Sequence, residues 1–352
     1  MPPEGADRAE LRFGKARIAG IVTTVGANQV DFTAEAGRMG LAEGEATRLQ
    51  RALGLGSRQV VGEGETTVDL CLASAKRLLA GLDLQPADLQ GLILVTQSPD
   101  YAAPSSAITL QHALGLPVTS VAFDMRLGCS GFVYGLAVAS SLVESGLSRV
   151  LLCVGDVASR FVDSTDHTIA PLMGDAGAAI LIERSSAESC FQLYSDGSGA
   201  RALIIPNSGV RQSVEDAGLP PLMKMDGAAV FNFTLQRVPG MISDILSFSG
   251  KSTADIDYFV LHQPNKYILR NLQKRLQLPE ERVPMATQGV YGNQNSASIP
   301  GTISGFLAER YASGPLTSVF AGFGIGLSWA AAVVSTDRIH APPVFVGTAA
   351  AG

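Results

Sequence analysis

The sequence predicts a layered α/β fold built from two related halves, and three observations carry that expectation. Short apolar runs rich in Val, Ile and Leu, namely RIAGIVTTVG, GLILVTQ, VAFDM, RVLLCVG, DYFVLHQ, SVFAGFG and LSWAAAVV, lie between longer helical patterns. Continuous apolar strands alternating with helices require a sheet covered on both faces. Next, TTVDLCLASAKRLLAGL spaces Val68, Cys71, Leu78, Leu79 and Leu82 along one face of a helix, which makes Cys71 a core residue. Finally, the chain repeats itself. ADLQGLILVTQSPD (87–100) matches ADIDYFVLHQPN (254–265), and SRVLLCVG (148–155) matches TSVFAGFG (317–324), in the same order. Between the members of each set a Gly-rich turn opens a helix, GCSGFVYGL in the first half and GNQNSASIPG in the second. The duplication places the region of Cys129 and that of residue 293 in related positions, so a site where the halves meet draws residues from both.

Composition narrows the function. At 352 residues the chain suits two domains or one large unit of two halves, expected as 1–185 and 186–352. Hydrophobic residues make up 46% and charged residues 16%, as in a compact globular protein. A net charge of -6 speaks against a nucleic-acid partner. The segment MPPEGADRAELRFGK has no apolar core of a leader, and no run approaches ~18 apolar residues. The reading is a cytoplasmic protein with no membrane partner. Cys71, Cys129, Cys153 and Cys190 are far apart with no CxxC pairing, suggesting reduced thiols and no metal site.

Four stretches could do chemistry. In RLGCSGFVYG, Cys129 precedes a helix that is apolar nearly all round, where the helix N-terminus favours a thiolate and lowers a thiol's pKa; the alternative is a small core residue beside a tight turn. In HQPN, His262 directly follows an apolar strand, where α/β proteins present ligand-facing groups. Pro264 suits the start of the next helix and Asn265 its cap, and a capping histidine is equally compatible. In YGNQNSASIPG, Asn293 projects from a turn with two donor hydrogens and an acceptor, although turn chemistry alone accounts for Gly292, Asn293 and Asn295. In GFGIGLSW, alternating glycines after a strand let backbone N–H groups approach an oxyanion, or else form a bulge.

Together GCSGF, HQPN, GNQNSASIP and GFGIGLSW, in that order across nearly the whole chain, resemble the ketoacyl-ACP synthase III family of the thiolase superfamily. GDAGAAILI (174–182) is similar to that family's strand entry. The resemblance implies a thiolase-like, internally duplicated fold of five layers, α/β/α/β/α. It implies Cys129 as acyl-accepting nucleophile in a triad with His262 and Asn293, with the backbone N–H groups of Cys129 and Ile325 as the oxyanion hole. Phe323, Gly324 and Asn265 fall with the substrate-binding residues. The implied reaction is decarboxylative Claisen condensation of an acyl-CoA or acyl-ACP with malonyl-ACP. It needs no cofactor, because coenzyme A and phosphopantetheine thioesters are substrates, and the family's state is a homodimer. A relative that moves an acyl group to an alcohol or amine is the alternative.

Three features depart from the family pattern or bear on its partners. Ile325 stands where many members have glycine. Ala103, in SPDYAAPSSA, occupies a position where acetyl-using members often present Phe, which suggests a longer or bulkier acyl group. The family's Trp and Arg at the coenzyme A mouth find at most Arg58 here. Lys266, Arg270 and Lys274 recur every four residues after HQPN, a basic stripe suited to docking acidic acyl carrier protein, or an ordinary solvated face.

Overall fold

A computed structural model describes residues 9–211 and 214–347. Most of the N-terminal segment MPPEGADRAELRFGK, expected to lack a leader, therefore lies outside the described residues. Two sheets organise the chain. The six-stranded sheet runs in the order Phe345–Val346, Ala16–Val25, Ala176–Arg184, Arg149–Asp156, Gly91–Val95, Val121–Met125. The five-stranded sheet runs Glu10–Phe13, Ser189–Ser195, Ser328–Thr336, Leu316–Gly324, Tyr258–Leu261.

The repeats seen in the sequence occupy matching places. Gly91–Val95 lies parallel to Arg149–Asp156, and Tyr258–Leu261 lies parallel to Leu316–Gly324. Each longer strand then returns antiparallel, to Ala176–Arg184 in one sheet and to Ser328–Thr336 in the other. The chain passes from one sheet to the other between Arg184 and Ser189, while Glu10–Phe13 and Phe345–Val346 each cross to the opposite sheet.

Strand periodicity explains the layering. Successive side chains point to opposite faces, so an unbroken apolar strand needs cover on both. Val150, Leu152 and Val154 face the central core, with Val260, Phe320 and Ala332 of the other sheet. Their neighbours Leu151 and Cys153 face outward onto Cys71, Leu78 and Leu79 of the helix Thr67–Gly81. On the other sheet, Phe259, Leu261, Val319 and Ala321 face outward onto Ile242, Ile245, Leu269 and Leu272. These belong to the helices Gly227–Ser249 and Lys266–Arg275. Between the sheets lie the helix Gly131–Glu144 and the helical segment 298–313. The result is the five-layered α/β/α/β/α thiolase arrangement, with Cys71 fully buried as expected.

Local signals set the helix ends. Thr66 and Asp69 form a reciprocal capping box, and Asp226 accepts the Ala229 N–H. Asn265 caps its helix by accepting the Ile268 N–H at 2.9 Å. Helix geometry begins only at Lys266, so Pro264 sits ahead of the cap rather than in the first turn. VAFDM forms an edge strand that is exposed or half-buried along its length, because no strand among the described residues covers its outer side. Among the described residues no helix is long and apolar enough to cross a membrane.

Candidate active site

Cys129, His262 and Asn293 line one cavity of about 380 Å³. Each reaches it from a turn at the end of a core element. Cys129 lies in the turn between the strand Val121–Met125 and the buried helix Gly131–Glu144, closed by the Gly131 N–H donating to the Gly128 carbonyl at 2.7 Å. A side chain at Gly128 would strike Gln97 and Ile325, and one at Gly131 would strike Val95. The glycines therefore serve packing around the nucleophile.

The GFG stretch does the same from the second half. The strand runs through to Gly324, rather than giving way to a loop at the first glycine. A Cβ on Gly322 would lie 2.7 Å from the Cys129 carbonyl oxygen, and one on Gly324 would lie 2.9 Å from Cys129 Sγ. Gly324 also has φ of 156°. This close approach brings the Ile325 backbone against the thiol.

Burial dominates the electrostatics of Cys129. It pushes the thiol up to about 12, with the Asp156 charge adding to the rise. Backbone hydrogen bonds from Ile325 and from Cys129 itself act the other way and favour the charged sulfur. The helix-terminus argument expected a lowered thiol pKa. The helix begins two residues later, at Gly131, and desolvation outweighs the N–H groups. Sγ donates to Asn295 Oδ1 at 3.7 Å, so Asn295 does more than form a turn.

His262 continues the strand pairing through its N–H to the Ala321 carbonyl at 2.8 Å, and its ring meets Phe323 edge-on at 5.6 Å. Burial pushes the imidazole down to about 3, against a hydrogen bond with the Asn295 backbone, so the ring is neutral near pH 7. Nδ1 lies 2.7 Å from Ser298 Oγ. That oxygen also accepts the Gln263 N–H at 3.4 Å, so Ser298 ties the ring to the backbone beside it. A neutral ring that accepts the Ser298 hydroxyl at Nδ1 carries its proton on Nε2.

Asn293 is held from the first half of the chain. Its N–H donates to the Leu172 carbonyl at 2.7 Å, and its carbonyl accepts the Gly174 N–H at 3.0 Å. Its Oδ1 accepts the Asn295 N–H at 3.0 Å, and its Nδ2 has no protein partner among the described residues.

The remaining sequence candidates divide. Phe323, Gly324, Ile325 and Asn265 line the cavity. Arg270 and Lys274 are exposed on the helix that begins beside it, and half-buried Lys266 packs at Gly54. Ala103 is exposed and lies outside the cavity lining, because its loop stands on the outer edge of the six-stranded sheet. Arg58 is not a free cation at the mouth. Its guanidinium pairs with Glu35 at both carboxylate oxygens and donates to the Met173 carbonyl at 3.2 Å. Sequence reading missed Ser298, Asn295 and the apolar wall of Leu172, Met173, Leu203, Met223 and Met225.

Comparison with known proteins agrees with the geometry. Residues 123–205 match the family 3-oxoacyl-[acyl-carrier-protein (ACP)] synthase III, and residues 246–336 match its C-terminal family. A beta-ketoacyl-[acyl-carrier-protein] synthase III of Synechocystis is 34% identical over 81% of this chain and 88% of its own length. The crystal structure of the 3-oxoacyl-(acyl-carrier protein) synthase of Burkholderia xenovorans LB400 superposes with a TM-score of 0.93. It is 36% identical, over 96% of this chain and 99% of that one. The priming beta-ketosynthase of the R1128 polyketide pathway gives 0.83 at 26% identity, over 96% and 100% of the two chains. This chain therefore belongs to the 3-oxoacyl-[acyl-carrier-protein] synthase III family of thiolase-fold condensing enzymes, which are acyltransferases.

Proposed function

We propose that the chain condenses an acyl thioester with malonyl-ACP through an acyl-Cys129 intermediate. The half 1–185 supplies the nucleophile and the half 186–352 supplies His262 and Asn293. The observation that carries this reading is the convergence of those three side chains on one cavity with the Ile325 and Cys129 N–H groups against Sγ. In the first step Sγ attacks the carbonyl of an acyl-CoA or acyl-ACP, the two N–H groups hold the oxyanion, and the carrier thiol leaves with the cysteine proton. In the second, Nε2–H of His262 and Nδ2 of Asn293 donate to the malonyl thioester carbonyl. Loss of CO₂ then leaves an enolate rather than an unsupported carbanion. The enolate carbon attacks the acyl-Cys129 carbonyl, the C–S bond breaks, and the sulfur regains a proton from solvent. The product is a 3-oxoacyl thioester two carbons longer. No cofactor enters this balance.

The substrate carrier is read from the surface. Lys266, Arg270 and Lys274 sit on the helix capped by Asn265, itself a cavity residue, so an acidic carrier docked there delivers its arm to the cavity. A homodimer is supported by the edge strand Val121–Met125, whose outer side no described strand covers, with Tyr101 at 62% and Val118 at 97% exposure beside it. Exposed strand edges with apolar neighbours are pairing surfaces, and a partner there would cover Ala103 as well. The cytoplasm, where carrier thioesters are used, is the proposed location. Transfer to an alcohol or amine needs no enolate, so the free Nδ2 of Asn293 favours condensation.

The test supplies acyl-CoA, then ¹⁴C-carboxyl malonyl-ACP, and follows release of labelled CO₂ with formation of the extended thioester. Both should appear together; acylation without CO₂ release would replace condensation by acyl transfer.

A further inference from the structure

Beneath the nucleophile lies a buried carboxylate that the reaction above does not use. Asp156 ends the strand Arg149–Asp156 and is 1% exposed. Its Oδ1 accepts the Gln97 N–H at 2.7 Å, the Thr96 hydroxyl at 3.1 Å and the Ser98 hydroxyl at 3.3 Å. Its Oδ2 accepts the Ser296 hydroxyl at 3.4 Å. Gln97 lines the cavity and abuts Gly128, next to Cys129. Ser296 follows Asn295, whose side chain meets Sγ. One carboxyl thus joins the first half's strand-end loop to the second half's Asn293–Asn295 turn.

We propose that Asp156 is a positioning residue for the nucleophile, tying the Gln97 loop that abuts Gly128 to the turn whose Asn295 meets Sγ, so that its state of charge governs how readily Cys129 reacts. The inference rests on Cys129 as the acylated residue. No cation pairs with Asp156 among the described residues, so hydroxyls and one N–H alone support its charge. Among the described residues the Asp156 charge raises the thiol of Cys129 and, on the helix Thr67–Gly81, that of Cys71, which also meets Cys153. Thr96, Gln97, Ser98 and Ser296 contribute only neutral donors. Burial pushes the Asp156 carboxyl up to about 7, against these hydrogen bonds. Below that pH Asp156 is neutral and the thiolate forms unopposed; above it, the new charge suppresses ionisation of Cys129.

The consequence is a bend in a rate profile. Carbamidomethylation of Cys129 by iodoacetamide, followed by peptide mass between pH 5.5 and 9, reads the thiolate fraction without any acyl donor. In the unaltered protein the logarithm of the rate should rise with pH, flatten near pH 7, then rise again. Asp156→Asn keeps a carbonyl for Gln97 and removes the charge, so its profile should be straight. The two rates should coincide at pH 5.5 and differ severalfold at pH 8. Ser296→Ala, which removes one donor to the charged form, should move the bend to higher pH. A constant ratio at every pH would reduce Asp156 to a packing role and overturn the proposal. So would an unmoved bend in Ser296→Ala, which also decides the matter if Asp156→Asn does not fold. Acylation of the unaltered protein by acyl-CoA is measured in parallel. Its failure would overturn Cys129 as the acylated residue while leaving the alkylation profile to judge Asp156.

Discussion

The two halves place different residues at matching positions. At the ends of the paired parallel strands the first half carries Thr96 and Asp156, which the sequence repeat sets against His262 and Ile325 of the second. In the first half the pair closes on itself, the Thr96 hydroxyl donating to Asp156 at 3.1 Å. In the second half both residues line the cavity, His262 through its ring and Ile325 beside a backbone N–H that reaches Cys129. Duplication thus supplies two equivalent strand ends, of which one is filled by its own polar network and the other is left open for chemistry. The helix-opening turns differ in the same spirit, one offering a nucleophile and the other hydrogen-bond donors.

The comparison is broken most severely at the nucleophile. Cys129→Ser keeps the turn but replaces the thiol with a weak nucleophile, and condensation should fall below detection in a labelled-malonyl assay while the fold, followed by circular dichroism, persists. Gly324→Ala comes next. Its methyl would sit 2.9 Å from Sγ at a φ that disfavours any side chain, so acylation measured by mass should slow by about 100-fold or more. His262→Ala and Asn293→Ala each remove one donor to the enolate. Decarboxylation should drop by about 100- to 1,000-fold in each, with acylation of Cys129 retained, which single-turnover measurements would separate.

The pH dependence sharpens the contrast further. The folded imidazole is displaced downward to about 3, so His262 is neutral above that pH and gains charge only below it. Decarboxylation of malonyl-ACP should therefore show no loss near pH 6.5 on acidification, the range where an exposed histidine would titrate. A decline there that vanishes in His262→Gln would contradict the neutral donor. The smallest effect is expected at the rim, where Lys266→Glu with Arg270→Glu should raise KM severalfold for carrier substrates and leave it unchanged for free coenzyme A thioesters.

The architecture was legible because its cause is local and repeated. Apolar runs that need cover on both faces encode buried strands, and the order of GLILVTQ and RVLLCVG recurs in DYFVLHQ and SVFAGFG. Glycine spacing marked the turns at Cys129 and Ile325. What stayed hidden depends on partners distant in the chain. Ser298 meets the His262 ring across 36 residues, and Ser296 reaches Asp156 across 140. Arg58 looked available until Glu35, 23 residues away, took its guanidinium. The thiol pKa failed for a related reason, since a helix terminus can be read locally whereas the desolvation that outweighs it comes from both sheets. The Leu and Met wall gave no signal either, because Leu172, Leu203 and Met225 come from separate loops and short strands with no periodicity.

The account rests on Cys129 accepting an acyl group, and peptide mass mapping after brief incubation with a panel of acyl-CoA donors tests this most directly. The expected result is one acyl adduct, located on Cys129 and discharged when malonyl-ACP is added. An adduct on Cys71, Cys153 or Cys190 instead, or one that malonyl-ACP leaves in place, would contradict it.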